Sequence, residues 1–235
     1  MIGRFGIKEF LIENPEMQLT PSASCISIRG NFSFTASGLG MPTISQSYRL
    51  QIDIPDNYPR VPPIVYETGK QIPREDIYHV NQNGSLCLGS NLRLLIQINI
   101  NPSIIEFVKR CIIPYLYSVS RVLLHGCQFP FGELKHGVEG IIEDYAELFG
   151  LNSLTGINAS LHALSLKKRI ANKLPCPCSC KKRLGKCKFN IIIRRLRRLV
   201  PRYQFKNELH YLAKSTHGFQ FKPSKHVKNT LNTII

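Results

Sequence analysis

Cys87 stands in the stretch Asn83-Gly84-Ser85-Leu86-Cys87-Leu88, where an Asn-Gly turn dipeptide leads into a short apolar run. A thiol presented by a polar loop can ionise far enough to attack a carbonyl carbon and hold the acyl group as a thioester. A nearby carboxamide, from Asn81 or Asn83, would steady the loop or donate a hydrogen bond to the tetrahedral oxyanion. His79 suits a hydrogen-bonding support of that loop better than a general base. A second group, Cys176, Cys178, Cys180 and Cys187, is packed into one short basic segment. Four thiolates so close together in a reducing compartment point to metal, and to a closed, structural Zn2+ site in particular.

The other thiols are scattered. Cys25, Cys111 and Cys127 read as core or incidental residues, with Cys111 packing on a helix. Glu133 and His136, in the glycine-flanked stretch Phe131-Gly132-Glu133-Leu134-Lys135-His136-Gly137, read as residues that order a loop rather than as acceptor-positioning groups.

The elements that must position Cys87 follow from apolar spacing. Phe5, Ile7, Phe10 and Leu11 recur about one helical turn apart and stop before Asn14-Pro15, which predicts a short helix. Ile26, Ile28, Phe32 and Phe34 alternate, as do Tyr48, Leu50, Ile52 and Ile54, and Ile64-Val65-Tyr66 forms a third short run. No helical pattern separates these runs, so an antiparallel meander is the simplest arrangement. Residues 70–100 read as irregular. From Pro102 the spacing turns helical through Leu123, with Pro114 expected to kink the helix, and a short acidic helix at 141–149 closes a first domain, 1–150.

Charge separates the two halves. Residues 1–150 carry 12 Lys/Arg against 14 Asp/Glu, whereas residues 151–235 carry 19 Lys/Arg against the single acid Glu208. The second part, 151–235, therefore reads as a basic module with a cysteine cluster. Residues 152–158 read as a linker, and Leu161, Leu164, Leu166 and Ile170 with their interleaved cations read as an amphipathic helix. The segment from Ile191 to Phe205 sets arginine pairs beside Tyr203 and Phe205, a composition that can neutralise phosphates and stack on bases or dock an acidic protein. Residues beyond Lys214 read as a basic tail. A hydrophobic fraction of 43% excludes a disordered or fibrous chain. The absence of a long apolar run and of a signal-peptide pattern sets the expectation of a cytoplasmic protein that does not enter membranes.

The order helix, antiparallel strands, Tyr58-Pro59-x-x-Pro62-Pro63, strand, Tyr78-His79-x-Asn81, then Asn83-Gly84-Ser85-Leu86-Cys87-Leu88 and helix resembles the ubiquitin-conjugating (UBC) fold, over roughly residues 5–125. The resemblance implies an α+β chain, an antiparallel meander flanked by helices, followed here by a small basic zinc-binding module. It implies that Cys87 accepts a protein C-terminus as a thioester from an activating enzyme and passes it to an amine. The family's His-Pro-Asn signature would correspond to His79-Val80-Asn81. Val80 stands in place of its proline, and the interval to the cysteine is two residues shorter, so Asn81 and Asn83 both remain as oxyanion partners. Tryptophan, familiar downstream in the family, is missing. Such divergence is similar to bacterial members, some of which act in anti-phage defence on a ubiquitin-like modifier or on a cyclic-nucleotide synthase. No organic cofactor is implied, since ATP belongs to the activating enzyme. The alternatives are a catalytically inactive UBC-like binding module and a nucleic-acid-binding adaptor. The Cys176-Pro-Cys178 to Cys187 segment resembles the SEC-C zinc motif, with Lys188 where its last ligand would stand, so that Cys180 would supply the fourth thiolate.

Overall fold

The computed structural model describes residues 3–38, 40–126 and 137–216. The chain mixes helix and sheet and divides into two compact units, Met1–Glu133 and Leu134–Ile235. Cys127, Glu133, His136 and the segment past Thr216 lie outside the described residues.

The first unit runs α1 (Ile7–Glu13), β1 (Met17–Thr20), β2 (Cys25–Ala36), β3 (Ile44–Pro55), β4 (Ile64–Glu67), a tight turn at Asp76–Tyr78, then α2 (Asn91–Ile100), α3 (Ile104–Phe107) and α4 (Ile113–His125). The four strands are hydrogen-bonded in chain order and antiparallel throughout, as the alternation predicts. Alternation also sets the register. Ile28 faces Ile52 and Phe32 faces Tyr48, and all four are buried, so each pair stacks apolar surface on one side of the sheet. Gly30 sits at φ +152°, and a Cβ there would meet the Glu16 carbonyl oxygen, so only glycine lets β1 come this close.

The apolar row of the long helix covers that face. Leu116 and Val119 are fully buried, the Tyr48 and Ser120 hydroxyls meet at 2.8 Å, and the Tyr117 hydroxyl donates to the Pro42 carbonyl at 2.8 Å. Pro114 has no N–H to donate, and the disturbance expected there takes the form of one wide, π-type turn at Val108–Ile112.

Two elements differ from the sequence reading. The irregular stretch expected at 70–100 ends in a real helix, α2, whose Ser90 side chain accepts from the Arg93 amide at 3.2 Å. β1 also appears, although four residues are too few to show alternation.

The second unit contains α5 (Gly137–Phe149), α6 (Leu154–Ser165), α7 (Lys168–Ala171), the cysteine loop, α8 (Asn190–Leu199) and α9 (Arg202–Ser215). α5, which the sequence reading assigns to the first domain, groups with this unit and packs against α6. Residues 152–158 are no linker. Ser153 accepts from the Gly156 amide at 3.1 Å and starts α6, whose Ile157, Leu161 and Leu164 are wholly buried. The amphipathic helix expected from Leu161 to Ile170 is broken at Leu166, which takes an extended conformation. Among the described residues no helix is long and apolar enough to cross a membrane.

Candidate functional site

Cys87 lies on the return arm of a small hairpin. Val80 bridges Leu86 in antiparallel register, which sets His79 opposite Cys87 and Asn81 opposite Ser85. The Cys87 amide donates to the His79 carbonyl at 2.8 Å, and the Asn81 amide donates to the Ser85 carbonyl at 2.8 Å. The tip closes through the Gly84 amide on the Asn81 carbonyl at 2.8 Å, with Gly84 at φ +81°. That positive φ is why the turn takes Asn-Gly. Leu86 anchors the arm: it is buried, and its amide donates to the Val65 carbonyl of β4 at 2.8 Å. The thiol-bearing residue is thereby held half-buried beside the sheet edge.

Both asparagines are engaged through Ser85. The Asn81 carboxamide nitrogen donates to Ser85 Oγ at 3.0 Å, while Ser85 Oγ donates to Asn83 Oδ1 at 2.7 Å and the Ser85 amide to the same oxygen at 3.1 Å. Ser85 is buried and joins the two asparagines into one chain of hydrogen bonds. His79 takes φ +53°, ψ +48°, a left-handed conformation that turns the chain from Asp76–Tyr78 into the hairpin.

Tyr115 of α4 reaches the same place from below. Its hydroxyl donates to the Tyr78 carbonyl at 2.8 Å. Burial raises its pKa above the ordinary phenol value, and a negative charge on Cys87 raises it further, so hydroxyl and thiol lie within electrostatic reach. Sequence reading missed Ser85 and Tyr115. Ser85 had no signal beyond its place in the turn, and Tyr115 looked like one more apolar helix position. Cys111, by contrast, is buried and its thiol is pushed up to about 12 by desolvation, so it stays a protonated packing residue. Cys25 meets Ser22 Oγ at 3.1 Å.

A cavity of about 630 Å³ opens beside the hairpin, lined by Tyr66, Ile72, Arg74, Val80, Gly84 and Leu86 among others. Cys87 does not line it.

In the second unit the four clustered cysteines converge, with all four sulfurs within 4.8 Å of one another. Cys176 and Cys178 sulfurs are 3.2 Å apart, Cys178 and Cys187 3.6 Å, and Cys180 and Cys187 3.5 Å. An ion bonded to four sulfurs at about 2.3 Å would set them about 3.8 Å apart, so the donor set and its spacing fit a tetrahedral ion. Left-handed Ser179 (φ +60°) and Lys181 (φ +62°) bring three cysteines at alternate positions into one loop. The loop is clamped by the Cys176 amide on the Lys182 carbonyl at 2.8 Å. It also rests on α6, where a Cβ on Gly156 would stand 3.0 Å from the Pro177 carbonyl oxygen. The Phe189 amide donates to Cys187 Sγ at 3.4 Å, and this bond, followed by bonds from the neighbouring thiols, lowers the Cys187 pKa to about 7. Burial pushes the Cys176 thiol the other way.

Of the aromatic and basic residues proposed for phosphate and base contact, two turn inward. Phe205 is fully buried, and Arg197 donates to the Leu166 carbonyl at 2.7 Å and to the Ala163 carbonyl, capping the end of α6.

Comparison with protein-family models, with curated proteins and with solved structures returns no match to this chain.

Proposed function

We propose that this chain is a ubiquitin-conjugating-like transferase that carries a protein C-terminus as a thioester on Cys87. The observation that carries the reading is the hairpin: the Cys87 amide is bonded to the His79 carbonyl, and Asn81 stands diagonal to Cys87 in its register, its carboxamide on Ser85 Oγ.

In the first step the Cys87 thiolate adds to the carbonyl carbon of a donor thioester on an activating enzyme. The C–S bond to Cys87 forms, the donor's C–S bond breaks, and the donor cysteine leaves as thiolate. In the second step an amine adds to the Cys87 thioester, the C–N bond forms, Cys87 leaves as thiolate, and the amine's proton passes to solvent or to a base on the acceptor. Both steps pass through an oxyanion. Asn81 reaches it by exchanging Ser85 Oγ for the oxyanion, and Asn83 can offer its carboxamide nitrogen because its oxygen is already occupied by Ser85. His79 supports the loop through its carbonyl. The partners on this reading are an activating enzyme and a ubiquitin-like modifier or cyclic-nucleotide synthase, in a cytoplasmic conjugation or anti-phage defence setting. The cysteine cluster holds a structural Zn2+ that braces the loop between α7 and α8 of the basic unit.

The test is a gel comparison of protein isolated from its own cells under non-reducing conditions. Wild type is expected to carry an adduct that a reducing thiol removes, Cys87→Ser a thiol-resistant ester, and Cys87→Lys a stable amide. An adduct that persists unchanged in a Cys87→Ala chain contradicts the reading.

A further inference from the structure

The outer face of α9 is arranged in two adjacent rows. Arg202, Lys206, His210 and Lys214 recur every fourth residue, and Tyr203, Asn207 and Tyr211 recur beside them. All seven are exposed, whereas Gln204, Phe205, Glu208 and Leu212 form the buried face. Steps of four residues along a helix advance about 6 Å, so Arg202, Lys206 and Lys214 form a cation ladder with the His210 imidazole between the two lysines. Like charges four apart weaken a helix, and α9 itself carries no acid on this face to offset them. The one acid between residues 151 and 235 is Glu208, and it is turned inward to accept from the Tyr145 hydroxyl at 2.6 Å. The neighbouring helix adds Arg194 and Arg198, exposed and again four apart.

The tyrosines select the partner. Tyr203 is 46% and Tyr211 44% exposed, an uncommon position for large rings on a highly charged helix. Cations alone would suit any polyanion. A cation ladder edged by exposed rings suits a flexible strand that offers phosphates to one row and unpaired base faces to the other. A membrane would need an apolar face to insert, whereas Phe205 and Leu212 of α9 are buried, Leu209 is half-buried, and the exposed face carries no aliphatic residue larger than Ala213. A duplex hides its base faces and would use the cations only. We infer that the outer face of α9 binds single-stranded nucleic acid, Lys206 and Lys214 neutralising phosphates and Tyr203 and Tyr211 stacking on bases. The inference does not depend on the chemistry assigned to Cys87.

The test measures the full chain against labelled oligo(dT) and oligo(U), a hairpin duplex, heparin and phosphatidylserine vesicles, by fluorescence anisotropy or sedimentation over a range of salt. Both single strands are expected to bind with a steep salt dependence. The Tyr203→Ala/Tyr211→Ala double variant is expected to lose about tenfold or more in affinity for them, with little change for heparin. Lys206→Gln and Lys214→Gln should each flatten the salt slope by about 0.7. All four positions are exposed, so melting temperatures should stay near wild type, and Cys87→Ser should bind as wild type does. Failure to bind single strands at low salt overturns the inference. So does binding that the tyrosine variant leaves unchanged, or vesicle binding that exceeds binding to the oligonucleotides.

Discussion

The Tyr115 hydroxyl donates to the carbonyl of Tyr78 at 2.8 Å, tying the long helix to the residue that precedes His79. His79 in turn receives the Cys87 amide, so one hydrogen bond from α4 fixes the base of the cysteine hairpin. Tyr115→Phe removes that bond and leaves the buried phenyl ring in place. The expected cost is about 1 kcal/mol of stability, the usual net worth of such a bond. A larger effect is expected on the rate of Cys87 alkylation by iodoacetamide, because the arm carrying it loses its footing. An alkylation rate equal to wild type would remove Tyr115 from the site.

Ser85 joins the two asparagines, and Ser85→Ala cuts both hydroxyl links at once while keeping the residue 85 amide on Asn83 Oδ1. Acyl transfer from Cys87 is expected to slow by about tenfold or more, comparable with losing one oriented oxyanion donor. Asn81→Ala and Asn83→Ala separate the candidates. The variant with the greater loss in rate constant, at unchanged affinity for the donor, marks the oxyanion residue. Equal and negligible losses in both would show that neither contributes.

The cysteine cluster is expected to bind one zinc per chain, measured by elemental analysis, and a strong chelator should lower the melting temperature of the second unit. Cys176→Ala should cost more stability than Cys180→Ala, since Cys176 is buried and Cys180 exposed. Affinity should rise with pH because thiolates, not thiols, bind the ion. In the metal-free chain Cys187 titrates near 7, below its ordinary 9.0. A lowered pKa contributes stability that is complete above about pH 9 and is lost as pH falls through 7. The metal-free chain should therefore melt at lower temperature at pH 6 than at pH 9, other groups held equal by comparison with Cys187→Ser. A variant with the same pH trend as wild type would refute this assignment.

Glu208 is buried against the Tyr145 hydroxyl at 2.6 Å. Tyr145→Phe takes a donor from a buried carboxylate, and the expected loss is about 1.5–3 kcal/mol, the range for hydrogen bonds to charged groups. Calorimetry should show the loss, with a smaller one in the double variant Tyr145→Phe/Glu208→Gln, where the charge is gone as well. No loss in the single variant would mean that other partners hold Glu208 in place.

Much of the sheet was legible because a half-buried strand must alternate, and Ile28, Phe32, Tyr48 and Ile52 do. α2 was not, because Leu92, Leu94, Leu95, Ile96, Ile98 and Ile100 put apolar residues nearly all round and blur the helical period. The boundary between units was missed for a similar reason. The acidic surface of α5 looked like the first domain, while its buried Ile142, Tyr145 and Phe149 belong to a core built with α6. The cysteine cluster was legible from spacing alone. What spacing could not show was that Ser179 and Lys181 adopt left-handed conformations, which let Cys180 join despite crowding. The hairpin's internal bonding, through Ser85 and Tyr115, depends on side-chain directions and on a contact 37 residues away, and neither leaves a mark in local pattern.

The central claim, that Cys87 is the acyl-carrying thiol, can be measured without knowing its partners. The full chain is incubated with a synthetic peptide ending in a Gly-Gly thioester, and the product is read by intact mass and peptide mapping. The expected result is one acyl adduct, mapped to Cys87, removed by a reducing thiol or hydroxylamine, and absent from Cys87→Ala. An adduct spread over the other cysteines, with a total unchanged by Cys87→Ala, would contradict it.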